Sequence, residues 1–355
     1  METEEATKWL REKKLLDIAR KNSSFIRNIF SECLAVKDEK ILIVGDRGNK
    51  DKYVSPILSA AYYLAAKEQK LDCELILQEP KERGELIDND VAEKLEGMEE
   101  GSIIILNLSN KLGRMKELGK SFRKMCLKKK YRFTSTTSLG GLATDKVSKI
   151  IDAINIDYKA LKKKHDRIKE IIGNGKEVIV KSEKGTELYM DIKNIKAMAA
   201  DGYYNQEGLG GNLPAGEVYF APRKIEGTVI VDASSRNMHS TQLLKKDIKI
   251  VIEDGKVTDI IDSNPALLLK ESIEWAKSKA KYPERVDMIG EFGIGLNPKA
   301  EILGSTIIDE KVLNTAHIGI GSNYWFGGDI KTIIHLDQVF KNPKIFVDGE
   351  ILKVV

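Results

Sequence analysis

ILIVGDRG, residues 41–48, is an apolar run that breaks into a Gly-Asp-Arg-Gly turn, and it sets the reading of the first half of the chain. Such a run reads as a short buried strand closed by a turn. Downstream, the spacing predicts a helix from Pro56 to about Lys70 and then a second strand, CELILQ (73–78). SIIILNL (102–108) and FTSTTS (133–138) read as two more strands, with a helix-like stretch over 111–127 between them. Upstream, Trp9, Leu10, Leu15, Ile18, Ala19, Phe25, Ile26 and Ile29 recur at helical spacing, so residues 1–35 read as helix. Strands alternating with helices predict βαβ units and a mostly parallel sheet in an α/β domain over 1–160.

The texture changes after a helix predicted from Tyr158 to Ile172, which Gly173-Asn174-Gly175 ends. EVIVKSEKGTELYMDI (177–192) and KIVIEDGKVTDII (249–261) are alternating runs folded about Lys184-Gly185 and Asp254-Gly255, both hairpin signals. TVIVDAS (228–234) adds a strand, and a helix is expected from Pro265 to about Lys281 before a glycine-rich tail. Residues 161–355 therefore read as an α+β domain with much antiparallel pairing.

Length and composition exclude several classes. The 355 residues suit two domains and can bury a core without disulfide staples. The 58 Lys and Arg against 54 Asp and Glu leave a surplus of only four, which does not mark a nucleic-acid-binding chain. Ten of the basic residues fall within 110–132, with Glu117 the one acid there; without a nucleic-acid motif this reads as a solvated face. Cys33, Cys73 and Cys126 are odd in number and far apart, which argues against a disulfide framework and suits a cytoplasmic location. No apolar run reaches the roughly 18 to 20 residues that span a bilayer, and METEEATKWLREKK has no signal-peptide core. Neither nucleotide fingerprint, G-x-G-x-x-G or G-x-x-x-x-G-K-[ST], occurs.

The chemistry concentrates near the C-terminus. Of four histidines, His165 in KKKHDR reads as a surface residue, and His239 lies in a polar loop. IIHLD (333–337) on a strand turns His335 and Asp337 to one face, as metal ligands or as a hydrogen-bonded structural pair. In AHIGIGSNY (316–324) His317 shares a face with Gly319 and Gly321, and in GEFGIGLNP (290–298) Glu291 shares one with Gly293 and Gly295. Glycines there are expected to leave room for an ion or substrate. GEVYFAP (216–222) sets Glu217 in an apolar strand, where a carboxylate needs a cation or a proton. Imidazole and carboxylate donors suit zinc, cobalt, manganese or iron.

GNLPAGEVYFAP, GEFGIGLNPKA, AHIGIGSNY, HLD and VDGEIL, in this order, resemble the metallo-aminopeptidases of the aminopeptidase T and S type over 205–355. The resemblance implies a two-metal hydrolase that removes the N-terminal residue of peptides, and a homodimer. It assigns Glu217, Glu291, His317, His335 and Asp337 to two divalent ions (zinc, cobalt or manganese), with Glu291 bridging them. It also places Tyr324 at the metals and an acidic residue before the first histidine. Glu310 is the candidate for that residue and for the general base, although the segment to His317 is about two residues longer than in the family. The same scaffold is shared with 2,5-dihydroxypyridine ring-cleaving dioxygenases. Under that alternative His317, His335 and Asp337 form a mononuclear iron(II) triad. A non-catalytic binding protein that keeps the site is the third reading.

Overall fold

The computed structural model describes residues 1–115, 122–261 and 264–354. They divide into two compact units, one of 1–158 with 202–215 and the other of 159–201 with 216–355.

The first unit is built on a five-stranded parallel sheet. Its order is Cys73–Gln78, Ile41–Asp46, Ile103–Asn107, Arg132–Thr136 and Gly210–Asn212. The central strands are buried on both faces, as their unbroken apolar runs require. On one face Leu42, Val44, Ile76, Ile104, Leu106 and Phe133 pack with Val91 and Leu95 of the helix Asn89–Gly97, with Met98 just after it, and with Met125 and Cys126. The helix Val54–Glu68 lies against the same sheet, and Pro56 sits in its first turn, where a missing N–H costs least. Each large aliphatic side chain removed from water in such a layer is worth about 1.5–3 kcal/mol.

Three sequence expectations change in this unit. Residues 1–35 are not one helix: Thr3–Glu12 and Leu16–Ser23 are separated by Lys14, whose φ of 58° is left-handed and cannot continue a helix. Of the helix expected over 111–127, residues 116–121 lie outside the described residues, the described helix is Phe122–Lys129, and 111–115 is not helical, with Lys111 and Arg114 in isolated bridges to Lys81 and Leu86. Residues 202–215, read as part of the second domain, belong to the first unit because Gly210–Asn212 extends its sheet beside Arg132–Thr136. All three cysteines are buried. Among the described residues no helix is long and apolar enough to cross a membrane.

The second unit holds two seven-stranded sheets, in which the described pairings are antiparallel. One contains both expected hairpins, Glu177–Lys181 with Glu187–Asp191 and Ile248–Glu253 with Lys256–Ile261. The other runs Thr241–Leu243, Ser234–Arg236, His335–Lys341, Thr315–Gly321, Ile289–Gly295, Glu217–Phe220, Met198–Ala200. The helices Tyr158–Asn174 and Asn264–Lys279 lie close to the spans that the sequence predicts.

Candidate metal centre

Four consecutive strands of the second sheet carry the site. Their register places Glu217 opposite Gly295, His317 opposite Gly293, and Gly319 opposite both Glu291 and Asp337; His335 stands opposite Gly321. Residues directly opposite share a face, so all five candidate ligands project from one side. The other side is buried and, apart from Gln338, apolar: Val218, Phe220, Phe292, Ile294, Ala316, Ile318, Ile320, Leu336 and Phe340. The alternation that makes these strands thus separates a packed face from a chemical one.

The glycines do not hold open space for a ligand, as the sequence suggested. A Cβ at Gly293 would overlap the ring of His317, and one at Gly319 would lie 2.7 Å from His335 Cε1 and 2.9 Å from Glu291 Cβ. The room they leave is filled by the imidazoles, which lie down across neighbouring strands.

The donor atoms converge on the Glu291 carboxylate. His317 Nε2 is 3.4 Å from Glu291 Oε1, and His335 Nε2 is 3.4 Å from Glu291 Oε2. His335 Nε2 is 2.8 Å from Asp337 Oδ1, and His317 Nε2 is 3.9 Å from Glu217 Oε2. Two groups have ligand atoms all within 4.8 Å of one another: Glu217, Glu291 and His317, and Glu310, His317 and Asp337. Glu310 therefore does reach the cluster, from the turn after the short helix Thr306–Asp309.

These residues fit a metal ion. Glu217 Oε2 is buried without a hydrogen-bond partner among the described residues, an expensive state for a carboxylate oxygen unless a cation takes it. His335 Nδ1 lies 2.8 Å from the Ser322 carbonyl and donates to it, which leaves the Nε2 lone pair facing the cluster.

Electrostatics without an ion agree. Burial opposes charge on both histidines, but the Glu291 hydrogen bond and the nearby carboxylates lift His317 to about 9. Asp337, Glu291 and the Ser322 carbonyl lift His335 to about 10 against the same burial. Asp337, despite burial, is held down at about 2 chiefly by His335. Burial raises Glu217 and drives Glu310 to about 8, with Lys311 opposing both shifts. The imidazoles thus hold protons where a dication would sit.

Sequence reasoning missed two participants and misplaced His165. Lys311 is only 1% exposed; its Nζ is paired with Glu217 Oε1 and lies 2.5 Å from Glu310 Oε1. Burial works against its charge, but the two carboxylates outweigh it and raise its pKa. Removing one partner of such a pair costs about 3–5 kcal/mol. Trp325 stands edge-on to His335, ring centroids 4.6 Å apart. Its neighbour Tyr324, expected at the metals, is mostly exposed, with Lys331 Nζ 5.0 Å from its ring centroid. Within the short 3-10 turn Tyr324–Phe326, Trp325 is the residue whose ring reaches His335. His165 is not a surface residue: it is fully buried, neither ring nitrogen has a partner among the described residues, and burial lowers its pKa to about 3.

Comparison with known proteins places this arrangement. A search of curated protein sequences returns no match. Among solved structures, the 2,5-dihydroxypyridine dioxygenase of Pseudomonas putida KT2440 shares the fold with a TM-score of 0.69 at 16% identity, over 94% of this chain and 95% of that one. Wild-type AmpT of Thermus thermophilus shares it with a TM-score of 0.63 at 14% identity, over 92% and 95%. The aminopeptidase resemblance therefore stands at the level of fold. A family model described as NicX, 2,5-dihydroxypyridine 5,6-dioxygenase, matches residues 153–354, which span the whole cluster. The chain belongs to that family.

Proposed function

We propose that the protein is a mononuclear iron(II) ring-cleaving dioxygenase acting on a dihydroxylated aromatic ring of the dihydroxypyridine type. The observation that carries this reading is the pair of imidazole Nε2 atoms meeting at one carboxylate, with Asp337 beside them, inside the segment that matches the dioxygenase family. Two histidines and a carboxylate are the donor set of non-haem iron oxygenases. His317, His335 and Asp337 would hold the ion, with Glu291 between the two rings. A ferrous ion, when bound, supplies the one-electron chemistry by which dioxygen reacts with a closed-shell ring.

The chain's own residues account for the rest. The Ser322 carbonyl fixes the tautomer of His335. Glu310, with a pKa near 8, can hold a proton at its carboxyl near neutral pH and accept or return one from a ring hydroxyl. Trp325, Phe326 and Tyr219 form a run of edge-to-face contacts beside His335, with centroids 5.5 and 5.2 Å apart, and offer a flat ring an aromatic wall.

One observation favours the metallo-aminopeptidase reading. Glu291 presents one oxygen to each histidine, and Glu217 adds a carboxylate that a triad does not need. With two ions at that set, a shared water would be the nucleophile toward a peptide carbonyl. Paired assays separate the readings. Protein loaded with iron(II) under anaerobic conditions is expected to consume oxygen with 2,5-dihydroxypyridine, and zinc-loaded protein is not. Hydrolysis of aminoacyl-p-nitroanilides by zinc or cobalt protein, with no oxygen uptake on any dihydroxylated ring, overturns the proposal.

A further inference from the structure

We propose that the Lys311 ammonium is a resident cation standing in for a second metal ion, so that the cluster takes up one divalent ion. The inference rests on the metal-centre part of the reading above and not on the substrate. Lys311 binds one carboxylate from each of the two ligand groups, Glu217 from the first and Glu310 from the second. Its backbone is fixed on both sides. Its N–H donates to the Ile308 carbonyl at 3.0 Å, and its carbonyl accepts from the Asn297 N–H at 2.8 Å. The side chain is as buried as any in the core, so the head group has no route to solvent that leaves its stem in place.

Two ions drawing on Glu217 and Glu310 would share those carboxylates with Lys311. A dication sharing Glu217 Oε1 or Glu310 Oε1 with an ammonium would meet unscreened repulsion in a buried site. The donors that Lys311 leaves alone are Glu217 Oε2, the Glu291 carboxylate, His317 Nε2, His335 Nε2 and Asp337; the two imidazoles reach opposite oxygens of Glu291, and His335 Nε2 also reaches Asp337. The ammonium also neutralises part of a charge that four clustered carboxylates would otherwise carry, a task a second ion performs in a two-metal site.

Metal counting tests this without reference to activity. Metal-free wild-type protein is titrated with cobalt(II), the bound ion being read from visible absorption and from elemental analysis after gel filtration. We expect an endpoint of one ion per chain, and two for Lys311→Met, which keeps the stem and removes the charge. Lys311→Gln, which keeps hydrogen-bond donors, carries the same expectation if the methionine variant does not fold. Independently of any variant, the heteronuclear NMR signal of a slowly exchanging lysine ammonium is expected to persist in wild type saturated with zinc. Two ions in wild type, one ion in every folded variant, or loss of the ammonium signal on zinc addition overturns the proposal. No ion bound by wild type is a different result, because it removes the metal centre itself and overturns the proposal with it.

Discussion

Replacing Gly293 by alanine adds one methyl group at the place where the cluster has none to spare. Gly293 lies directly opposite His317, and a Cβ there would fall on the imidazole, 2.9 Å even from the more distant Nδ1. Neither side can retreat easily. His317 is 1% exposed, and Ile289–Gly295 is paired on both edges, with Thr315–Gly321 and with Glu217–Phe220. Overpacking of this kind costs about 1–3 kcal/mol. If the ring swings aside, the cost appears in metal binding; at about 1.4 kcal/mol per tenfold this is roughly a 5- to 150-fold weaker affinity. If the strands part instead, it appears as lost stability of the metal-free protein. Calorimetric titration with zinc and urea unfolding of the metal-free form measure the two shares, which together should reach at least about 1 kcal/mol. Gly173→Ala is the control. It lies on the helix Tyr158–Asn174 with nothing within 4 Å of where the added methyl group would stand, and should be neutral or stabilising by up to about 1 kcal/mol. A Gly293→Ala protein with wild-type affinity and wild-type stability would refute the packing argument.

The remaining expectations are simpler. His317 and His335 have folded pKa values of about 9 and 10 against 6.5 for free histidine, so in the metal-free protein their stabilising contribution is complete below about pH 6.5 and is lost as pH rises through 9 to 10. Glu310, raised to about 8, acts in the same direction between its ordinary 4.5 and 8; urea unfolding should therefore show metal-free stability falling between about pH 6 and 10, and a rise would contradict it. Metal affinity should move the opposite way, increasing with pH as the ion displaces these protons, which calorimetry at several pH values reads directly. Tyr324→Phe should leave metal affinity within a factor of about two, because that side chain is mostly exposed. Asp46→Ala should cost about 2–4 kcal/mol in urea unfolding, because it strands the Ser109 N–H, the Ser109 hydroxyl and the Gly48 N–H, all of which donate to its carboxylate.

The strands that build the site are legible in the sequence because their pattern is local. Period-two alternation of apolar residues with glycine, acid or histidine puts Glu217, Glu291, His317, His335 and Asp337 on strand faces, and the structure brings all five together on one face of one sheet. Register is not local, so the pairing of each ligand with a glycine across the strand is invisible in the sequence, where the glycines read as open space. Lys311 carries no signal in STIIDEKVL: a lysine beside glutamate usually faces water, and only the tertiary position of Glu217 makes its burial tolerable. His165 misleads in the opposite sense, since its charged neighbours surround it in sequence while its own position falls on the buried stripe of the helix with Leu161, Ile168 and Ile172. Choosing between Tyr324 and Trp325 needs the turn geometry, because one step of a 3-10 helix rotates the side chain by a third of a turn. The return of 202–215 to the first sheet is a three-residue strand, Gly210–Asn212, without an apolar run to announce it.

The most direct test of the account is anomalous diffraction at the iron edge from crystals of the protein loaded with iron(II) under anaerobic conditions. The account predicts one peak per chain, bonded to Nε2 of His317 and of His335 and to a carboxylate of the cluster, with Lys311 still paired to Glu217 and Glu310. Two peaks bridged by Glu291, with the Lys311 head group displaced, would contradict it and return the two-metal hydrolase to first place.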